Sequence, residues 1–122
     1  ELVKSFPVQS KQIQIEEELE RLELEITKAV PIGLIVNEAL TNSLKHAFNS
    51  ANEKPTITVK MQLIYDRIQI CITDNGVGFA DTNNRKDSAL GLSLIESLCD
   101  QIDAQVVFKN ENGACVSIVF PV

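Results

Sequence analysis

The sequence predicts an α+β domain, and three observations predict it. Ile57, Val59, Met61 and Leu63, then Ile68, Ile70 and Ile72, alternate with other residues on either side of Tyr65-Asp66, the pattern of an antiparallel hairpin. Val106 to Phe108 and Val116 to Phe120 flank Asn110-Glu111-Asn112-Gly113, a second hairpin with turn residues in place. Two other stretches, Pro31 to Phe48 and Leu92 to Ile102, carry apolar residues at helical spacing on one side.

A chain of 122 residues is the size of one domain and can bury a core. It is 44% hydrophobic and 23% charged, a balance of globular rather than disordered chains. No apolar run reaches the length of a membrane span, and no signal peptide is visible. The chain starts at Glu1, which reads as a piece of a longer protein. A net charge of −6 argues against a general nucleic-acid binder, although a small local site can still oppose the overall sign. Cys71, Cys99 and Cys115 are far apart, lack metal-ligand spacing and sit among apolar residues. They read as reduced core thiols in a cytosolic chain.

Leu2, Val3 and Phe6 fit the end of an upstream helix broken by Pro7. Ile13 and Ile15 alternate with glutamines as a strand. From Glu16 to Glu25 both periods fit: Leu19, Leu22 and Ile26 suit a helix, and Leu22, Leu24 and Ile26 suit a strand. A short strand from Leu22 is preferred, because its glutamates then alternate outward and repel other sheet edges.

Pro31 suits a helix start. At about 100° per residue, Ile32, Val36, Ala39, Leu40, Leu44 and Ala47 fall on one broad arc. Glu38, Asn42, Lys45 and Asn49 fall in a stripe about 60° wide on the other side, with His46 beside it. Such a stripe is also what any amphipathic helix shows to water. An acid, an amide, a cation and an imidazole within three turns nevertheless suit a metal-phosphate ligand. The amide oxygen can bind Mg²⁺ and the lysine can neutralise phosphate.

Asp74 continues the parity of Ile68, Ile70 and Ile72, so its carboxylate points to the buried side of the sheet, where it needs a partner. Gly76 and Gly78 follow, where the chain can turn sharply or admit a ligand closely. Two readings fit: a carboxylate aimed at a hydrogen-bond donor on a ligand, or an aspartate capping its own turn. The loop Ala80 to Ser88 lacks apolar periodicity. It carries Arg85 and Lys86, within reach of a phosphate or simply soluble surface, and Ser88, a candidate cap for the next helix. Gly91 is then expected in the first turn of that helix, where free N–H groups favour an anion; tight helix packing is the alternative reason for a glycine there.

These pieces together resemble the ATP-binding superfamily of gyrase, heat-shock chaperone, histidine kinase and mismatch-repair proteins. The resemblance is strongest to the catalytic domain of sensor histidine kinases. Residues from Val36 to Phe48 (VNEALTNSLKHAF) look like that family's N box, Asp74 to Phe79 (DNGVGF) like its G1 box, and Ser88 to Ile95 (SALGLSLI) like its G2 box. The likeness covers nearly all of Pro31 to Val122. Its N-box wording and short lid look most like the subfamily with the alternative dimerisation domain. Ala89 departs from the family's usual glycine, which stiffens the expected lid hinge, and no separate phenylalanine motif precedes Ser88.

The resemblance implies a two-layer α/β sandwich, a mixed, mostly antiparallel sheet with helices on one face, over residues 11–122; residues 1–10 would end a linker from an upstream domain. It implies a protein-histidine kinase that binds ATP and Mg²⁺ and passes the γ-phosphoryl group to a histidine on a dimerisation domain, then to a response regulator. Asn42 would hold Mg²⁺ and phosphates, Lys45 would contact phosphate and His46 would lie beside the nucleotide. Asp74 would accept from the adenine amine, with Gly76 and Gly78 shaping its pocket. Leu90, Gly91 and Leu92 would bring backbone to the phosphates. Glu38 would polarise the attacking imidazole or complete the metal shell. His46, the only histidine, belongs to the nucleotide stripe rather than the acceptor. The expected setting is cytoplasmic, with a monomeric fragment, a homodimeric parent and no nucleic-acid partner. The alternatives are a serine-kinase anti-sigma factor of the same fold and a non-catalytic nucleotide-binding module.

Overall fold

Alternating apolar residues build a six-stranded mixed sheet in the order β1-β2-β3-β4-β6-β5. The computed structural model describes residues 2–8, 11–49, 54–79 and 86–122, and the side chains of 12–49, 54–79 and 90–122. In chain order the elements are β1 (Leu2–Val8), β2 (Lys11–Leu19), α1 (Ile26–Asn42), a π-helical turn (Ser43–Ala47), β3 (Thr56–Ile64), β4 (Arg67–Asp74), α2 (Lys86–Gln101), β5 (Gln105–Asn110) and β6 (Ala114–Pro121). Among the described residues only β2 and β3 pair in parallel; the other pairings are antiparallel. A parallel pair needs a long crossover, and the segment between β2 and β3 carries α1.

The strands share one parity. Ile13 and Ile15 of β2, Ile57 and Val59 of β3, Ile68, Ile70 and Ile72 of β4, and Val116, Ile118 and Phe120 of β6 form one buried cluster. Ile32, Ile35 and Ala39 of α1 and Ile95, Leu98 and Cys99 of α2 cover that face. Burying each such aliphatic chain contributes about 1.5–3 kcal/mol. The other face is polar: Gln62 Nε2 donates to Gln69 Oε1 at 3.2 Å, and Gln69 Nε2 to Ser117 Oγ at 3.4 Å. The expected two-layer sandwich is therefore what the chain forms, and both predicted hairpins are present.

Four expectations are corrected. Leu2, Val3 and Phe6 belong not to a helix end but to β1, which pairs along β2 with Phe6 opposite Ile13. No strand runs from Leu22: residues 20–25 are irregular, while Leu22 and Leu24 still pack on the core. The first helix starts at Ile26, not Pro31. Proline inside a helix removes an N–H and costs roughly 3 kcal/mol, yet α1 runs through Pro31 because Ile32, Ile35 and Ala39 are buried along it. The second helix starts at Lys86, so Lys86 to Ser88 are helical rather than loop, and Ser88 is not its cap. Among the thiols, all free, Cys99 lies in the core, but Cys71 and Cys115 lie on the helix-free face, Cys71 half-buried and Cys115 buried. The rest of the loop, including Arg85, and the side chains of Lys86, Ser88 and Ala89 lie outside the described residues. Among those described, no helix is long and apolar enough to cross a membrane.

Candidate functional site

Asp74 ends β4 and keeps the inward parity of the three isoleucines before it, at 7% exposure. Its Oδ1 accepts the Gly76 N–H at 2.9 Å and the Ala114 N–H at 3.0 Å; its Oδ2 accepts the Ser43 hydroxyl at 2.8 Å. The bond from Gly76 is the aspartate turn on its own backbone. The turn reading of Asp74 therefore holds, and so does its inward parity; three donors from the protein itself occupy the carboxylate. An ionised carboxylate offers about four acceptor directions, so one direction on Oδ2 is left.

The glycine loop after β4 is wedged into place by backbone. A Cβ on Gly76 would land on the carbonyl of Ala47, whose oxygen also accepts the Val77 N–H at 2.8 Å. Here the protein itself, not a ligand, demands the glycine. Gly78 sits at φ +79°, and a Cβ there would lie 2.7 Å from Asn110 Oδ1. That same oxygen accepts the Phe79 N–H at 2.7 Å, and the Phe79 ring meets Phe108 edge-to-face with centroids 5.9 Å apart. Asn75 ties the loop to β3, accepting the Thr56 N–H at 2.8 Å and donating to the Lys54 carbonyl at 2.9 Å.

Above Asp74, α1 ends at Asn42 and widens into the π turn, a form that recurs at functional sites. One cleft is lined by Asn42, Ser43, His46, Asp74, Gly78, Phe79, Leu92 and Ala114, over an apolar floor that includes Ile72 and Ile95. The Nε2 of His46 is buried. The cleft admits water-sized spheres over about 40 Å³, room for a few waters.

Of the residues singled out in the sequence, the cleft brings together Asn42, His46, Asp74, Gly78 and Leu92. Lys45 is exposed and does not line it, Leu90 is 70% exposed, and Gly76 packs behind it. Gly91 is the sixth residue of α2, past the first turn, so the helix-terminus argument for an anion does not apply to it. A Cβ on Gly91 would lie 2.6 Å from Asn42 Nδ2 and 2.8 Å from Glu38 Oε2. Its glycine is explained by tight packing of α2 on α1, with Glu38 and Asn42 held beneath it. Ser43, Asn110 and Ala114 were missed. For Ser43 a signal existed: it lies about 20° from Ile32, in the middle of the apolar arc, where a polar residue needs a reason.

The donor set suits a cation that arrives with its ligand. Glu38 and Asn42 offer one carboxylate and one amide oxygen side by side. Among the described residues no three His, Cys, Asp or Glu groups converge as a metal cage. Mg²⁺ held through one or two protein oxygens plus phosphates needs no such cage.

A family model described as histidine kinase-like ATPase domain matches residues 10–120. The serine-protein kinase RsbW of Staphylococcus aureus strain MSSA476 is 33% identical over 100 residues, covering 70% of this chain and 60% of that protein. The RsbW of Staphylococcus epidermidis is 34% identical over 101 residues, with 70% and 61% covered. The chain thus spans about three-fifths of the length of these curated relatives. The histidine kinase domain of the blue-light activated histidine kinase EL346 from Erythrobacter litoralis superposes with a TM-score of 0.78 at 23% identity, over 89% of this chain and 51% of that one. The catalytic domain of histidine kinase ThkA gives a TM-score of 0.68 at 17% identity, over 89% and 78%. At these identities the superpositions establish the fold.

Proposed function

Because the chain belongs to the histidine kinase-like ATPase domain family, we propose that it is the ATP-binding catalytic domain of a two-component sensor histidine kinase. The observation that carries this reading is a single cleft shared by a buried strand-end carboxylate, the last amide of α1 and an imidazole.

In this reading the open direction on Asp74 Oδ2 accepts the exocyclic amine of adenine. An anion cannot donate, so it favours an amine over a carbonyl at that position. Asn42, with Glu38 beside it, would hold Mg²⁺. When bound, that ion neutralises the phosphate oxygens and fixes their geometry, which is most of what phosphoryl transfer asks of a protein. Lys45 adds a cation at the exposed rim, and His46 lies beside the nucleotide. Gly76 and Gly78 let the loop under the base take its path. Leu90, Gly91 and Leu92 bring α2 backbone to the phosphates once the start of α2 parts from Glu38 and Asn42. Glu38 then orients the attacking imidazole or completes the metal shell.

The acceptor histidine lies on another domain, since the only histidine here has its Nε2 buried in the cleft. In this reading the parent protein is a cytoplasmic-facing homodimer, and a response regulator takes the phosphoryl group onward. A second reading has its own support: the identity of 33–34% to RsbW serine-protein kinases favours transfer to a serine of a partner protein.

The two separate by the chemistry of the product. The full-length gene product is incubated with radiolabelled Mg-ATP and the label is challenged with acid and alkali. Phosphohistidine is lost in acid and survives alkali; phosphoserine does the reverse. An acid-stable label on serine overturns the histidine assignment, and a gene product that binds Mg-ATP but takes up no label overturns both in favour of a non-catalytic nucleotide-binding module.

A further inference from the structure

Ser43 opens the π turn, is only 9% exposed and sits in the apolar arc of its helix. Its hydroxyl donates to Asp74 Oδ2 at 2.8 Å across 31 residues of sequence. The other two donors to that carboxylate come from the loop after β4 and from the first residue of β6. Three separate segments thus converge on one side chain; among the described residues Ser43 is the donor to Oδ2, and Ser43 and Asp74 both line the cleft.

We propose that Ser43 is a positioning residue that sets base selectivity, an inference that rests on Asp74 reading adenine. Its single hydroxyl hydrogen is committed to Oδ2. The floor of the cleft therefore presents one acceptor direction there and no donor toward the base. Adenine places an amine at that point. Hypoxanthine and guanine place a carbonyl there, which faces an anion with no hydrogen between them. Removing the hydroxyl opens a second direction on Oδ2 and room for a water. A water has two hydrogens: one replaces the serine on Oδ2, and the other can donate to the carbonyl of the wrong base. Loss of Ser43 thus relieves the rejection of ITP and narrows the preference for ATP. A site whose buried polar groups are fully committed discriminates more sharply than one that a water can adapt.

The test is calorimetry of the chain with Mg²⁺ and three ligands, ATP, ITP and tripolyphosphate, on the wild type, Ser43→Ala and Ser43→Cys. The cysteine keeps the packing but donates weakly, so it carries the test if the alanine variant does not fold. The wild type should prefer ATP over ITP by about 10-fold or more, the worth of one charge-assisted bond. Both variants should bring that preference to within about 3-fold while tripolyphosphate affinity stays unchanged. A preference for ATP that survives both substitutions overturns the role of Ser43. An equal loss for ATP and tripolyphosphate also overturns it, since that marks general damage. A wild type with no preference for ATP instead overturns the assignment of Asp74 to adenine.

Discussion

Replacing Asp74 with asparagine is the sharpest probe of the cleft, because the fold can keep its hydrogen bonds while the ligand loses its own. The two N–H donors, Gly76 at 2.9 Å and Ala114 at 3.0 Å, both fall on Oδ1. An asparagine carbonyl placed there retains them. Its amide nitrogen then stands where Oδ2 was, 2.8 Å from Ser43 Oγ. The serine hydroxyl, now donor, turns to become acceptor. What the fold loses is charge assistance, about 1–2 kcal/mol over these bonds, or roughly 3–8 °C in Tm. Toward the ligand the change is of sign rather than degree: an acceptor becomes a donor facing an amine. Loss of one charge-assisted bond costs about 1.5–3 kcal/mol, a rise of about 10- to 150-fold in the Kd for ATP. The new donor suits a carbonyl, so the preference for ATP over ITP should invert. Calorimetry with Mg²⁺ on both proteins reads this, with a thermal melt to confirm folding. A folded Asp74→Asn variant that binds ATP within twofold of the wild type would refute the adenine contact.

Three further outcomes are expected. Gly76→Ala should cost about 3 kcal/mol or more, because the added methyl lands on the Ala47 backbone carbonyl; Gly33→Ala, with nothing within 4 Å, should raise stability by about 0.5–1 kcal/mol, and thermal melts that rank the two alike would show that the loop is not wedged as described. Asn42→Ala should reduce the gain in ATP affinity on adding Mg²⁺ by about 10-fold and change Mg-free affinity little; equal losses with and without the ion would remove its metal role. Burial, aided by Asp100 and Glu96, pushes the Cys99 thiol from its ordinary 9.0 up to about 11. Below pH 9 this group contributes its full share of stability, and that share is lost as pH rises toward 11, because the unfolded chain ionises first. Urea midpoints at pH 8, 9.5 and 11 should fall less steeply for Cys99→Ala; parallel slopes would sink the assignment.

How much of this was legible depends on the range of the interaction that decided each feature. Period-2 patterning is local and rigid, so three isoleucines were enough to send Asp74 inward, and the two hairpins followed from their turns. β1 was not legible because its partner decides it: Leu2, Val3 and Phe6 have a helical spacing, and only pairing with β2 makes them a strand. The start of α1 was masked by a proline rule that burial overrode. The π turn leaves no periodic trace in five residues, yet it carries Ser43, Lys45 and His46, of which Ser43 and His46 line the cleft and Lys45 does not. Gly91 shows the same limit from the other side. A glycine signals close approach but not of what, and here the partner is Glu38 and Asn42 rather than a phosphate. That contact couples two events the sequence treated separately: the residues assigned to the metal are covered by the very helix whose backbone is assigned to the phosphates. In the proposed reading, contact through both asks α2 to shift away from α1, and the free energy of that packing would then be subtracted from the affinity for nucleotide.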